Sequence, residues 1–212
     1  MFLNDEEYEQ VLALIDGRTP KSPLLQELTL WVKQEFNVDI YDYICDKTKN
    51  GLTRLRIVVW DYAVAGRFRN GANYDIKKQR KFQVKFSELA RKYDIHQEYH
   101  NANTVFVCFE TIRDQIAGKT LWNLKDHIYA LQKDDIWKIT IIFESVHIFY
   151  ETDAQIAAHE ADGTSRMLKE TITGIVRTYD RYQVFRAGVP CVFTSHQTLN
   201  EKYQGSMFFY TR

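Results

Sequence analysis

The residues with the most chemical character lie between Gly66 and Lys92. Arg67, Arg69, Lys77, Lys78, Arg80, Lys81, Lys85, Arg91 and Lys92 stand there against only Asp75 and Glu88. At about 100° per residue in a helix, Lys77, Lys78, Arg80, Lys81, Lys85 and Lys92 gather on one side, while Phe82, Phe86, Leu89 and Tyr93 form the opposite stripe. The glycines and asparagines around Arg67-Phe68-Arg69 suit a loop that turns its backbone towards an anion, and helix amides near Asp75 would add to the attraction. The anion-binding candidates are therefore Arg67, Arg69, Lys77, Lys78, Arg80, Lys81 and Lys85. The same residues also suit an ordinary solvated helix face, whose long stems cover apolar neighbours.

Other motifs carry less. His96, Glu98 and His100 in HQEYH would share one face of an extended strand and are the metal-ligand candidates. No fourth ligand stands near them in sequence, so the segment reads as a polar edge strand or loop. His159-Glu160 begins like a zinc-protease helix, but Gly163 stands where the second histidine belongs. Ala117-Gly118-Lys119-Thr120 resembles the end of a P-loop, yet Arg113 occupies the position of its first glycine. Asp75-Ile76-Lys77 is the acid-x-Lys match of a nuclease pattern, placed at a helix start where no second carboxylate shares a metal. Cys45, Cys108 and Cys191 sit singly in apolar runs and read as buried free thiols. No G-x-S-x-G elbow is present, and no serine or cysteine has a histidine placed by local sequence to activate it. Tyr41, Tyr43, Trp60, Trp122, Trp137, Phe208 and Phe209 read as core aromatics rather than a pocket lining.

These residues must be held by regular elements. Tyr8, Val11, Leu12 and Ile15 repeat at helical spacing between Asn4, a cap, and Gly17, a stop. Ser22 and Pro23 open a second helix with Leu25, Leu28, Val32 and Phe36 as its buried stripe. Val38–Lys47 and Leu52–Asp61 flank Asn50-Gly51 as a hairpin, in which Leu55, Ile57 and Val59 alternate with Arg54, Arg56 and Val58. A polar loop over 62–74, a helix over 75–94 and an apolar strand over 105–109 follow. More helix over 111–117 and 125–132 leads to strands over 137–143 and 146–150, helices over 153–161 and 165–182, and strands over 189–194 and 206–210. Pro190 puts the strand over 189–194 at an edge or starts it.

The order β-β-α-β occurs twice, which suggests an internal duplication. Leu89–Asp94 lines up with Ile175–Asp180, and after a one-residue gap Val105-Phe106 meets Val192-Phe193. On that plan 119–124 should match 206–210 as a strand. The expected fold class is α+β (mixed α/β), with an N-terminal helical pair at 1–36 covering one sheet face, a first unit at 37–134 and a second at 135–212.

Composition bounds the function. Basic and acidic residues are equal at 28 each, so no overall field favours nucleic acid or an anionic membrane. Acidic runs at Asp5–Asp16 and Glu144–Asp162 offset the basic stretch and leave a dipolar surface that favours mixed-charge partners or a homo-oligomer. No apolar run approaches the roughly 18 residues of a membrane helix, so a cytoplasmic location and no membrane partner are expected. The residues call for no cofactor. The expected function is binding of an anionic ligand, nucleic acid or protein through the basic loop and helix. The alternative is a small enzyme acting on a phosphorylated metabolite or nucleotide between the two units.

Overall fold

The computed structural model describes residues 3–133 and 135–212. It is an α+β fold of two compact units, Met1–Arg113 and Asp114–Arg212. The first unit contains α1 (Asp5–Ile15), α2 (Pro23–Phe36), β1 (Asp42–Lys47), β2 (Thr53–Val59), α3 (Tyr62–Gly66), the two-residue strands β3 (Arg69–Asn70) and β4 (Asn73–Tyr74), α4 (Ile76–Lys92) and β5 (Phe106–Thr111). The second contains α5 (Arg113–Asn123, whose first residue is the boundary), α6 (Lys125–Tyr129), β6 (Ile136–Ile142), β7 (Ser145–Tyr150), α7 (Asp153–Ala161), α8 (Thr164–Arg177), β8 (Cys191–Ser195), α9 (His196–Tyr203) and α10 (Met207–Tyr210).

Each unit carries one three-stranded sheet, in orders β1-β2-β5 and β6-β7-β8. In both, the first two strands form an antiparallel hairpin and the third lies parallel to the second. Two helices precede each hairpin, so α5 and α6 belong with the second unit. Gly51 takes φ +78° in the first hairpin turn, the left-handed geometry that glycine adopts without strain.

Local chemistry sets the helix starts. Asn4 and Glu7 form a reciprocal capping box on α1, Ser22 caps α2 ahead of Pro23, and Asp75 caps α4. Leu24, Leu25, Leu28 and Val32 of α2 then pack with Phe82, Phe86, Leu89 and Ala90 of α4 on Leu55, Ile57, Val59, Val107 and Phe109 of the sheet. Phe68 from the loop after α3 stacks on Phe109 at 4.1 Å between ring centres.

The N-terminal helices do not share one sheet face, which corrects the expectation. α2 lies on the apolar side, whereas Glu7 and Gln10 of α1 bond Arg56 and Asp42, whose side chains alternate to the other side. The two expected strands over 119–124 and 206–210 are both helical. In α5, Ile116, Ala117 and Leu121 supply a buried helical stripe, and in α10 the Ser206 hydroxyl accepts from Phe209 N–H while Tyr210 packs on Phe149. Trp122, Phe208 and Phe209 are exposed rather than core, the first under Lys125 and the second under Arg212. No helix among the described residues is long and apolar enough to cross a membrane.

Candidate functional site

The basic stretch folds as a loop, a short hairpin and a helix, and most of its cations have structural work. Arg67 reaches back to the end of α2, donating to Phe36 O at 2.7 Å and Asn37 O at 3.2 Å, two carbonyls the helix itself leaves open. Lys78 donates to Arg67 O at 2.5 Å and so fixes the loop that carries the arginine. Arg69 lies over the Tyr74 ring at 4.9 Å and donates to Ala72 O, closing the β3-β4 turn. Lys81 pairs with Glu35 and Lys92 with Glu27, both acids of α2, while Lys85 pairs with Glu88 at 2.9 Å. Lys92 and the Tyr93 hydroxyl hold the Glu27 carboxyl below its ordinary pKa.

The start of α4 is not an open anion site. The Asp75 carboxylate accepts from Lys77 N–H at 3.0 Å and Lys78 N–H at 3.1 Å, and these contacts lower its pKa. A bound phosphate would have to displace a covalently tethered carboxylate from the same amides.

What remains outward is compact. Lys77, Arg80 and Val84 stand at i, i+3 and i+7 on the solvent side of α4, within one helix ridge. Among the described residues Lys77 has no side-chain partner, and Arg80 makes a single bond to Gln83 at 3.3 Å. Ile76 is 79% exposed and Val84 47%, high values for aliphatic side chains. Two depressions flank the ridge. One of 490 Å³ is lined by Asn70, Asn73, Tyr74, Asp75, Ile76 and Lys77, and the other, of 350 Å³, lies over Trp31 between Glu35, Arg80, Val84 and Lys85.

The remaining sequence candidates do not assemble. His96 is in the left-handed region at φ 51°, and Gln97–Tyr99 is a 3-10 turn, not a strand. His96 packs on Tyr43 and Tyr99, His100 contacts Ile95 O, and Glu98 is exposed, so the three point apart. Among the described residues no three His, Cys, Asp or Glu side chains cluster as metal ligands. Burial pushes the Cys45 and Cys108 thiols up to about 12 and Cys191 to about 11, which suppresses the thiolate a nucleophile needs.

Two polar clusters escaped the sequence reading. In the second unit, His147 Nδ1 lies 2.7 Å from the Tyr210 hydroxyl and Nε2 3.0 Å from Ser145 Oγ. Ser145 Oγ donates to Ile142 O at 2.9 Å, so the serine proton points away from the imidazole. Burial also lowers the His147 pKa. This arrangement supports a tertiary joint, and among the described residues no carboxylate is bonded to the imidazole.

In the first unit, Arg56 is 3% exposed at the centre of β2. Its Nη1 donates to Glu7 at 2.7 Å and lies 3.4 Å from Asp46, and its Nε is 3.3 Å from buried Glu110. Asp46 in turn holds Arg54 through two bonds of 2.7 and 2.6 Å. The signal was present in the alternation: Arg54 and Arg56 share a side of β2, and register sets Asp46 directly opposite Arg54.

Set against protein-family models, curated proteins and solved structures, the chain matches none.

Proposed function

We propose that this is a binding protein that meets an acidic protein partner through the outer ridge of α4. The observation that carries the reading is the exposure of Ile76 and Val84 beside the sparsely bonded cations Lys77 and Arg80. Apolar side chains next to cations favour a surface with both acidic and apolar residues over a phosphate backbone. Asp75, Glu35 and Glu88 interrupt the positive charge at short intervals, which further disfavours nucleic acid. The ion pairs of Lys81 with Glu35 and of Lys85 with Glu88 each keep at least one partner open to water, where such pairs contribute little, so Lys81 and Lys85 can exchange partners at little cost. Arg67, Lys78 and Arg69 act here as supports of the loop and of α2.

The test uses fluorescence anisotropy with two labelled probes, a peptide alternating glutamate with leucine and a DNA duplex. The peptide should bind, and Lys77→Glu with Arg80→Glu should weaken it about tenfold or more without altering the circular dichroism spectrum. Equal binding by the double variant would remove the ridge from the site. Tighter binding of the duplex, with a steep salt dependence, would replace the protein partner by nucleic acid.

A further inference from the structure

Each three-stranded sheet ends in a strand with one unpaired side, and the two units treat that side differently. In the first, β5 pairs with β2 so that the N–H and C=O groups of Val105 and Val107 face outward. Two glutamines of α4 close this edge: Gln79 Nε2 donates to Val107 O at 2.6 Å, and Gln83 Nε2 donates to Val105 O at 2.7 Å. Side chains that occupy an edge strand prevent another chain from adding to it.

In the second unit the corresponding strand is β8. Val146 N–H bonds Pro190 O at 2.9 Å, which fixes the alternation: Val192 and Thr194 turn their backbone groups to β7, and Cys191 and Phe193 turn theirs outward. Matched from the last pairs of each ladder, Val59 with Thr111 and Tyr150 with Ser195, Cys191 stands where Val107 does and Phe193 where Phe109 does.

In the preceding helices, the alignment that sets Ile175 on Leu89 also sets buried Ile172, Thr173 and Val176 on Phe86, Ser87 and Ala90, and it puts Gln79 and Gln83 on Ser165 and Lys169. Neither closes the edge. Ser165 Oγ is engaged with the Tyr150 hydroxyl at 3.0 Å, and among the described residues Arg166 and Lys169 have no side-chain partner. A groove of 390 Å³ opens instead, lined by Ile156, Glu160, Ser165, Arg166, Lys169 and Phe193. β8 itself, CVFTS, carries no charge and no proline to repel an added strand.

We propose that this groove takes an extended peptide segment of a partner protein as a fourth strand beside β8. The outward N–H and C=O groups of Cys191 and Phe193 supply main-chain bonds, which set the extended conformation. Alternate side chains of the segment face α7 and α8. One of them is acidic and meets Arg166 and Lys169; another, two positions away, is apolar and rests on Ile156 and Phe193. Glu160 disfavours a second acid. The five residues of β8 offer about 16 Å of edge, enough for four or five residues of the ligand. The site is independent of the α4 ridge and lies in the other unit.

The probe is a fluorescein-labelled octapeptide alternating threonine with isoleucine and glutamate, titrated with the full chain. It should raise anisotropy on binding, and Lys169→Glu should weaken binding about tenfold or more. Lys169→Gln, which installs the residue of the closed edge, should weaken it as well. Methylating the peptide amides at alternate positions should abolish binding in one of the two registers, because only one set faces β8. Arg166 and Lys169 are exposed, so the variants should keep the wild-type unfolding midpoint. No binding, or binding indifferent to Lys169→Glu or to amide methylation, would overturn the proposal. So would a dimer in sedimentation that Val192→Glu dissolves, since a second copy would then own the edge.

Discussion

Replacing Arg56 by methionine removes a buried charge from between three carboxylates while keeping the apolar stem. The Arg56 side chain is 4% exposed, and of its partners the Glu110 side chain is 6% exposed, whereas those of Glu7 at 19% and Asp46 at 27% keep contact with water. Asp46 also retains Arg54, and the buried Glu110 loses its contact with Arg56. Breaking a buried pair by deleting one partner costs about 3–5 kcal/mol, because the other charge is left without compensation. With a urea slope of about 2 kcal/mol per molar, the middle of the range for small proteins, that loss moves the unfolding midpoint down by roughly 1.5–2.5 M. The measurement is urea unfolding at neutral pH followed by Trp31 and Trp60, in a background carrying Trp122→Phe and Trp137→Phe so that only the first unit reports. Adding Glu110→Gln to Arg56→Met removes the buried carboxylate that faced the guanidinium, and the double variant should lose less than the sum of the two single losses, a coupling read directly from the double-mutant cycle. If Arg56→Met proves too unstable to isolate, Arg56→Lys, which keeps the charge but loses the planar fork, should fold with a smaller loss. A cost below about 1 kcal/mol for Arg56→Met, or no recovery in the double variant, would refute the claim that α1 seals a charged sheet face.

Two further outcomes follow from buried groups. Desolvation raises the Asp42 pKa, against the opposing hydrogen bonds from Tyr43 N–H and Gln10. A group whose folded pKa lies above its unfolded one contributes stability that is complete below the unfolded pKa and lost as pH rises through the folded pKa. Asp42→Asn should therefore stabilise the first unit at neutral pH, with the gain shrinking as pH falls through the raised pKa; a gain that grows on acidification would contradict this. The thiols, held at about 12 for Cys45 and Cys108 and about 11 for Cys191, should resist Ellman's reagent at pH 8 until urea unfolds the chain. A thiol that reacts within the mixing time in the native protein would contradict its burial.

Much of the fold was legible because local signals agreed with packing. The caps Asn4 and Ser22 and the stripe Phe82, Phe86, Leu89 lie where spacing placed them. The short segments at 119–124 and 206–210 were not legible, since a few aromatic and aliphatic residues suit either period and tertiary contacts decide. For the candidate site, helix geometry located the cationic face of α4, but charge alone cannot say which cations are spent. Arg67 serves a helix end some thirty positions away in sequence, and Lys81 and Lys92 face acids on α2. The roles of Gln79 and Gln83 were hidden for a similar reason: uncharged residues on a basic helix attract no notice until the strand edge they close is in view.

The central functional claim is that the outer ridge of α4 is a contact surface for an acidic protein. Its most direct test is a backbone amide NMR titration of isotope-labelled protein with the glutamate-leucine peptide. Shift changes should centre on Lys77, Arg80 and Val84, reach Trp31 and spare the buried stripe of Phe82 and Phe86. Unchanged amides along α4, or changes gathered elsewhere on the chain, would contradict the claim.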